Sequence, residues 1–255
     1  MFTETVASPY PIVNISSAIF YSSSPDLDSC PDESLPEFAF IGRSNVGKSS
    51  LLNMLSGKPD LARVSKTPGF TKMINVFTMN KTWRLVDLPG YGYAHVARQD
   101  KSKFNQAVND YLQHRANLCC VFALIDSSLP PQKIDLEFVR WLAGKSVPFV
   151  LVFTKTDTGK PAAVQANIEA FKERISGWFE KLPAIFTCSA TARHGRRELL
   201  AVIEETIAAG QGEENSEPEQ TAQDAALPPG DLPAAGRKAG ARKTQSKRPN
   251  PARPW

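Results

Sequence analysis

The chain has 255 residues, 42% hydrophobic and 22% charged, with a formal net charge of +4. This ordinary globular composition suits one large domain with tails, or two small ones. Its longest purely apolar run, Leu118 to Ile125, falls far short of the roughly 18 residues of a membrane helix, which excludes a conventional span.

The N-terminus offers neither the basic start nor the apolar stretch of a secretory signal, so a cytoplasmic protein is expected. No Lys or Arg precedes Arg43, whereas Glu4, Asp26, Asp28, Asp32, Glu33 and Glu37 all fall in that segment. Residues 1–35 read as an N-terminal extension. The four cysteines, Cys30, Cys119, Cys120 and Cys188, lack zinc-type spacing and read as buried structural thiols.

Residues 36–209 alternate short apolar runs with longer amphipathic ones. Strands are predicted at Phe38–Ile41, Met73–Met79, Trp83–Val86, Leu118–Ile125, Val147–Phe153 and Ala184–Thr187. The last four are nearly continuous in apolar residues, as strands buried on both faces are. Helices are predicted at Lys48–Leu55, Lys101–His114, Gln132–Ala143, Pro161–Phe179 and Arg196–Ala208, the fourth with proline in its first turn. Only Asn80-Lys81-Thr82 separates the second and third strands, a gap too short for a crossover, so these pair as an antiparallel hairpin. The rest is βαβ. The expected fold is α/β: a mostly parallel six-stranded sheet with one antiparallel hairpin strand and helices on both faces. Ligands of such sheets bind at the carboxyl ends of the strands.

Residues 210–255 read as a disordered Pro/Ala-rich tail, too poor in apolar residues to offset the entropy of ordering. It begins acidic (Glu213, Glu214, Glu217, Glu219). It ends basic, with Arg237, Lys238, Arg242, Lys243, Lys247, Arg248 and Arg253 and no acid after Asp231. Such a tail is either a solvated appendage or a flexible arm for RNA or another polyanion.

The stretch GRSNVGKS, Gly42 to Ser49, fits G-x-x-x-x-G-K-[ST] with a strand before it and a helix after it. Gly42 and Gly47 allow a backbone that wraps an anion with N–H groups, and the helix adds its positive end. Lys48 supplies a charge to the outer phosphates, and the Ser49 hydroxyl suits Mg²⁺. DLPG, Asp87 to Gly90, closes the hairpin strand. Its aspartate can reach Mg²⁺ through a water and its glycine can offer an N–H to a γ-phosphate. TKTD, Thr154 to Asp157, ends another strand. The Asp157 carboxylate can accept from guanine N1–H and N2–H₂, where adenine would leave it unpaired, with the Lys155 stem across the base. Cys188-Ser189-Ala190 resembles a loop whose backbone N–H groups contact the guanine oxygen.

Between the phosphate loop and DLPG lies SKTPGFTK, Ser65 to Lys72. A threonine there can ligate Mg²⁺ only while a γ-phosphate is present, which makes the loop a switch; Thr71 is the candidate, with Thr67 as alternative. The mobile loops are expected at Asp60–Thr71 and Gly90–Asp100. The aromatics of Tyr91-Gly92-Tyr93-Ala94-His95 either face a partner or pack on the sheet. The nucleotide-contacting set is Gly42, Arg43, Ser44, Asn45, Val46, Gly47, Lys48, Ser49, Gly69, Phe70, Thr71, Lys72, Met73, Asp87, Leu88, Pro89, Gly90, Thr154, Lys155, Thr156, Asp157, Cys188, Ser189 and Ala190. Lys48, Thr71 and Gly90 are the catalytic candidates, and Ser49 and Thr71 the metal ligands.

Position 91 is Tyr, not the Gln that orients water in many GTPases, so slow intrinsic hydrolysis is expected. Asn45 either forms a turn or, through its own side-chain carbonyl, helps hold a monovalent cation such as K⁺ against the phosphates. His95 reads as a surface histidine beside a mobile loop, and His114 and His194 as structural or solvent-facing.

Together these strings resemble the EngB family of ribosome-biogenesis GTPases, within the TrmE-Era-EngA-EngB-Septin-like superfamily. The carriers are GRSNVGKSSLLN (Gly42 to Asn53), SKTPGFT (Ser65 to Thr71), VDLPGYGYA (Val86 to Ala94) and TKTD with Thr154 in place of Asn. The resemblance covers about residues 15 to 209. The chain departs from it at Phe70, where the family commonly has Arg nearby, and at Cys188-Ser189-Ala190, often Phe-Ser-Ser.

The resemblance implies a P-loop NTPase G domain as the fold, GTP/GDP and Mg²⁺ as ligands, and assembly of the large ribosomal subunit, with its rRNA and ribosomal proteins, as the task. It also implies a disturbance of cell division and septation on loss. The expectation is a monomeric cytoplasmic GTP switch that hydrolyses GTP slowly. Its rivals are a scaffolding GTPase of the division septum, which needs a self-association surface, and a P-loop kinase, which needs an Arg-rich lid and has no use for TKTD.

Overall fold

The computed structural model describes residues 14–62, 73–91 and 98–214. In chain order the elements are β1 (Ala18–Ser24), β2 (Glu37–Gly42), α1 (Lys48–Ser56), β3 (Ile74–Met79), β4 (Trp83–Asp87) and α2 (Arg98–His114). They continue with β5 (Leu118–Asp126), α3 (Lys133–Gly144), β6 (Phe149–Thr154), α4 (Pro161–Ser176), β7 (Ile185–Thr187) and α5 (Arg196–Glu214). One sheet has the order β1-β3-β4-β2-β5-β6-β7. From β4 to β7 its neighbours are parallel. β3 runs antiparallel to β4, Met79 opposite Trp83, as the three-residue gap requires.

The sheet has seven strands where the sequence predicts six. The addition is β1, in the segment read as an extension; it pairs antiparallel with β3 along the edge. The hairpin turn explains its place. Asn80 and Lys81 both have positive φ, 50 and 62°. The Asn80 side-chain oxygen accepts from the Ser16 and Ser17 backbone N–H groups (2.8 and 3.1 Å), and its amide donates to the Asn14 carbonyl at 2.9 Å. The hairpin thus captures the chain just before β1.

Two hydrophobic layers sandwich the sheet. One packs α2, α3 and α4 on residues such as Ala39, Ile41, Val121 and Leu151. The other packs α1 and α5 on Phe38, Phe40, Phe122 and Val152. Because β2 faces both layers, all six of its residues are buried. Its first residue, Glu37, is a fully buried carboxylate. The Arg115 guanidinium, just past α2, grips it at 2.9 and 2.7 Å, the Tyr111 hydroxyl donates to it at 2.5 Å, and Arg84 lies 3.4 Å away. This network fastens the C-terminal end of α2 to the strand that leads into the phosphate loop.

Helix ends differ from expectation for local reasons. α4 stops at Ser176 because Gly177 follows, and Trp178 and Phe179 then turn back onto the core. α5 runs past Ala208 to Glu214. α1 ends at Gly57, held at φ 72°, and the Arg196 side chain donates to the last carbonyls, of Met54 and Leu55, both at 2.9 Å.

Candidate nucleotide-binding site

The phosphate loop begins where β2 must yield to a turn in almost no space. A Cβ on Gly42 would lie 2.8 Å from the Leu124 carbonyl oxygen and 2.9 Å from Val46 Cγ1, so only glycine fits. Asn45 (φ 66°) and Gly47 (φ 99°) then adopt left-handed conformations, and the Val46 N–H closes back on the Arg43 carbonyl at 3.1 Å. This alternation curls the backbone into a concave cradle ahead of α1, whose first N–H groups carry the helix's positive end. Asn45 is exposed and has the turn-forming conformation.

Lys48 and Asp87 meet beneath the cradle. Both are buried, and the Lys48 ammonium contacts Asp87 Oδ1. The DLPG turn is locked beside the loop: the Leu88 N–H donates to the Phe40 carbonyl at 3.0 Å. A Cβ on Gly90 would sit 2.8 Å from the Gly42 carbonyl oxygen, so the turn can lie this close only as glycine. Tyr91 forms an isolated parallel bridge with Arg43. Its ring is buried against Phe138, centroids 4.4 Å apart, and its hydroxyl donates to Asp135 at 3.0 Å. Of the two alternatives for the aromatics, position 91 takes packing on the sheet.

The end of β6 joins the same cluster. The Thr154 hydroxyl lies 2.6 Å from the Val46 carbonyl and 3.2 Å from that of Ile125, so the first residue of TKTD reaches into the phosphate loop. Lys155 takes a left-handed φ of 60°. Its ammonium pairs with Asp126 at 2.7 Å, and its stem passes over Gly47. Asp126 is itself held by the Ser128 N–H and hydroxyl, at 3.0 and 2.5 Å. Thr156 donates from backbone and hydroxyl to the Cys188 carbonyl at 3.3 and 3.2 Å, which fastens TKTD to the Cys188-Ser189-Ala190 turn. Ser189 and His194 close that turn by reciprocal backbone bonds of 3.2 and 3.0 Å. Asp157 is exposed at the rim. Burial, with a contribution from the Asp157 carboxylate, pushes the Cys188 thiol up to about 12, so it stays protonated and inert. Cys120 and Cys188 are buried as expected, whereas Cys30 and Cys119 are only half-buried.

The strand ends therefore bring together Gly42 to Ser49, Asp87 to Gly90, Thr154 to Asp157 and Cys188 to Ala190. Met73 is half-buried at the threshold of β3. Thr67, Gly69, Phe70, Thr71, Lys72, the loop Gly92 to His95 and the tail from residue 215 lie outside the described residues. Sequence reasoning missed two acidic supports, Asp126 and Asp135. The signal for Asp126 was its place at the carboxyl end of β5, where ligands of parallel sheets gather. Asp135 has no such signal.

A nucleotide and Mg²⁺ fit these residues. The curled loop backbone, the Lys48 ammonium and the N-terminal end of α1 offer the donors and positive charge that phosphates select. Ser49 is half-buried at the start of α1, next in the chain to Lys48, which contacts Asp87. Among the described residues no cluster of three His, Cys, Asp or Glu could hold a metal by itself. Mg²⁺ needs none, since one or two protein oxygens, phosphate oxygens and waters complete its shell.

The family model of the 50S ribosome-binding GTPases matches residues 37–155. A probable GTP-binding protein EngB of Christiangramia forsetii is 47% identical over 193 residues, 75% of this chain and 97% of its own. Its counterpart in Bacteroides thetaiotaomicron is 47% identical over 192 residues, 75% and 95% of the two chains. A crystal structure of a probable GTP-binding protein engB superposes with a TM-score of 0.55 at 24% identity, covering 68% of this chain and 99% of that one. This last likeness concerns the fold.

Proposed function

The chain belongs to the EngB family of GTP-binding proteins, and from that premise we propose that it is a cytoplasmic, monomeric switch in large-ribosomal-subunit assembly, needed for normal division and septation. It binds GTP and GDP and hydrolyses GTP. No helix among the described residues is long and apolar enough to cross a membrane. The observation that carries the switch reading is the joining of the TKTD strand end to the phosphate loop by Thr154, which couples reading of the base to grip on the phosphates.

In the proposed reaction water attacks the γ-phosphorus in line. The new P–O bond replaces the bond to the GDP oxygen, and the water's proton passes to a phosphate oxygen. Lys48 neutralises charge on the outer phosphate oxygens, and the Gly90 N–H donates to the γ-phosphate. Ser49 and Thr71 would hold Mg²⁺, with Asp87 supporting it through a water, and the ion would supply charge neutralisation on the phosphates. Asn45 would add K⁺ at the loop rim. Asp157 reads the guanine edge, Lys155 flanks the ring, and the backbone from Cys188 to Ala190 meets the guanine oxygen. Tyr91 is committed to Asp135 and the core, so it cannot orient the attacking water, and hydrolysis is slow until a partner supplies that function. Residues 36–209 carry the nucleotide site of this reading; β1, from the segment read as an extension, completes the sheet's edge, and the basic-ended tail follows α5.

Co-sedimentation of the full chain with large-subunit precursor particles tests the ribosomal part. Binding with a non-hydrolysable GTP analogue and release with GDP is expected. Equal binding in both states, or none, would contradict it.

A further inference from the structure

Asp135 lies on none of the loops that form the site. It sits in the first turn of α3 with only 2% of its side chain exposed. A carboxylate so placed is costly unless its oxygens are satisfied. Its two oxygens turn to two residues of the nucleotide site. The Tyr91 hydroxyl donates to one at 3.0 Å, and Arg43 Nε lies 3.5 Å from the other. Arg43 and Tyr91 are already neighbours through their backbone bridge. The three residues therefore close a ring that joins the second residue of the phosphate loop, the residue after DLPG, and α3. Gly90 is the residue immediately before Tyr91 and is the one pressed onto the Gly42 carbonyl.

We propose that Asp135 is a positioning residue that clamps Tyr91 to Arg43 and so sets where the Gly90 N–H stands relative to the terminal phosphate of GTP. The inference rests on the GTP-switch reading above. The clamp keeps the donor arrangement over the working pH range: burial and the neighbouring Asp135 carboxylate hold the Tyr91 phenol well above its ordinary range, so its proton stays in place to be donated. Burial, helped by the Asp126 carboxylate, leaves the Asp135 carboxyl above its ordinary value, against the opposing pull of Arg43 and the Tyr91 hydroxyl. Only GTP carries the phosphate that Gly90 serves. A loosened clamp therefore weakens GTP more than GDP, whereas simple damage to the fold weakens both alike.

The test uses the full chain and two ligands, GDP and a non-hydrolysable GTP analogue, each titrated by calorimetry. Asp135→Ala and Tyr91→Phe are each expected to lower the affinity ratio of analogue to GDP by about tenfold, the scale of one buried hydrogen bond to a charged group. The double variant should be no worse than Asp135→Ala alone, because Asp135→Ala already removes the Tyr91 contact together with that to Arg43. Asp135→Asn keeps an acceptor for Tyr91 and loses the counter-charge to Arg43, so its ratio should fall in between. Tyr91→Phe preserves the ring on Phe138 and keeps the test open if Asp135→Ala does not fold. A ratio unchanged in Tyr91→Phe, or additive losses in the double variant, would overturn the proposal. A wild-type chain that binds neither ligand would overturn the switch reading itself, and with it this inference; that result is distinct from an unchanged ratio.

Discussion

The Thr154 hydroxyl lies 2.6 Å from the Val46 carbonyl, so the strand end that carries TKTD is fastened to the middle of the phosphate loop. Both groups are buried, and a carbonyl left without its donor would bear the full desolvation cost, on the order of 1–3 kcal/mol. Thr154→Val keeps the shape and removes the hydroxyl. It should weaken GDP binding by about tenfold, while Thr154→Ser stays close to wild type. Calorimetric titration of both variants checks this.

Lys48 and Asp87 form a buried pair. Removing one partner leaves the other charge uncompensated, a loss of roughly 3–5 kcal/mol. Lys48→Ala should lower stability by about that amount, measured by denaturant unfolding with no nucleotide added. The double variant Lys48→Ala/Asp87→Asn should recover a substantial part of it. Neither should bind GDP measurably, because the phosphates lose their cation in both. Separation of the two readouts is the point of the comparison.

Gly42 and Gly144 make a matched contrast. An added methyl at Gly42 meets the Leu124 carbonyl at 2.8 Å, whereas at Gly144 it meets nothing within 4 Å. Gly42→Ala should cost about 2–3 kcal/mol through overpacking and lower Tm by roughly 5–10 °C. Gly144→Ala should leave Tm within about 2 °C of wild type. Thermal unfolding of the two single variants decides it.

Glu37 predicts an acid-sensitive step. Burial pushes its carboxyl up, but the Arg115 and Tyr111 hydrogen bonds outweigh burial and leave it below its ordinary value of 4.5. A carboxyl depressed in the folded state contributes stability that is fully present above its unfolded value. That stability is lost as pH falls below 4.5 toward the folded value. Glu37→Gln should destabilise the protein at pH 7 by roughly 3–5 kcal/mol, since Arg84 and Arg115 lose their buried counter-charge. It should also flatten the stability profile below pH 4.5. Denaturant unfolding as a function of pH reads both effects.

Most of the fold was legible because its strands are buried on both faces, which leaves unbroken apolar runs such as Leu118 to Ile125. β1 was not. Ile19, Phe20 and Tyr21 are all exposed on an edge strand, and the register slips between Phe20 and Ser22, so neither alternation nor continuity marks it. The phosphate loop, DLPG and TKTD were legible because their chemistry dictates residue type at fixed spacing. Asp126 and Asp135 were not. Their work depends on which side chains the folded sheet brings opposite them, Lys155 for one and Tyr91 with Arg43 for the other. In sequence, an acid after a helix start reads only as favourable to the helix dipole.

Guanine reading by Asp157 is the central claim. The most direct measurement is calorimetric titration of wild type and Asp157→Asn with GDP, ADP and XDP. Xanthine carries a carbonyl where guanine carries its amine, so an amide at position 157 complements it as the carboxylate complements guanine. Wild type should bind GDP tightly and ADP not at all, and the variant should lose GDP and gain XDP. Equal binding of ADP by wild type, or unchanged GDP binding by Asp157→Asn, would contradict it.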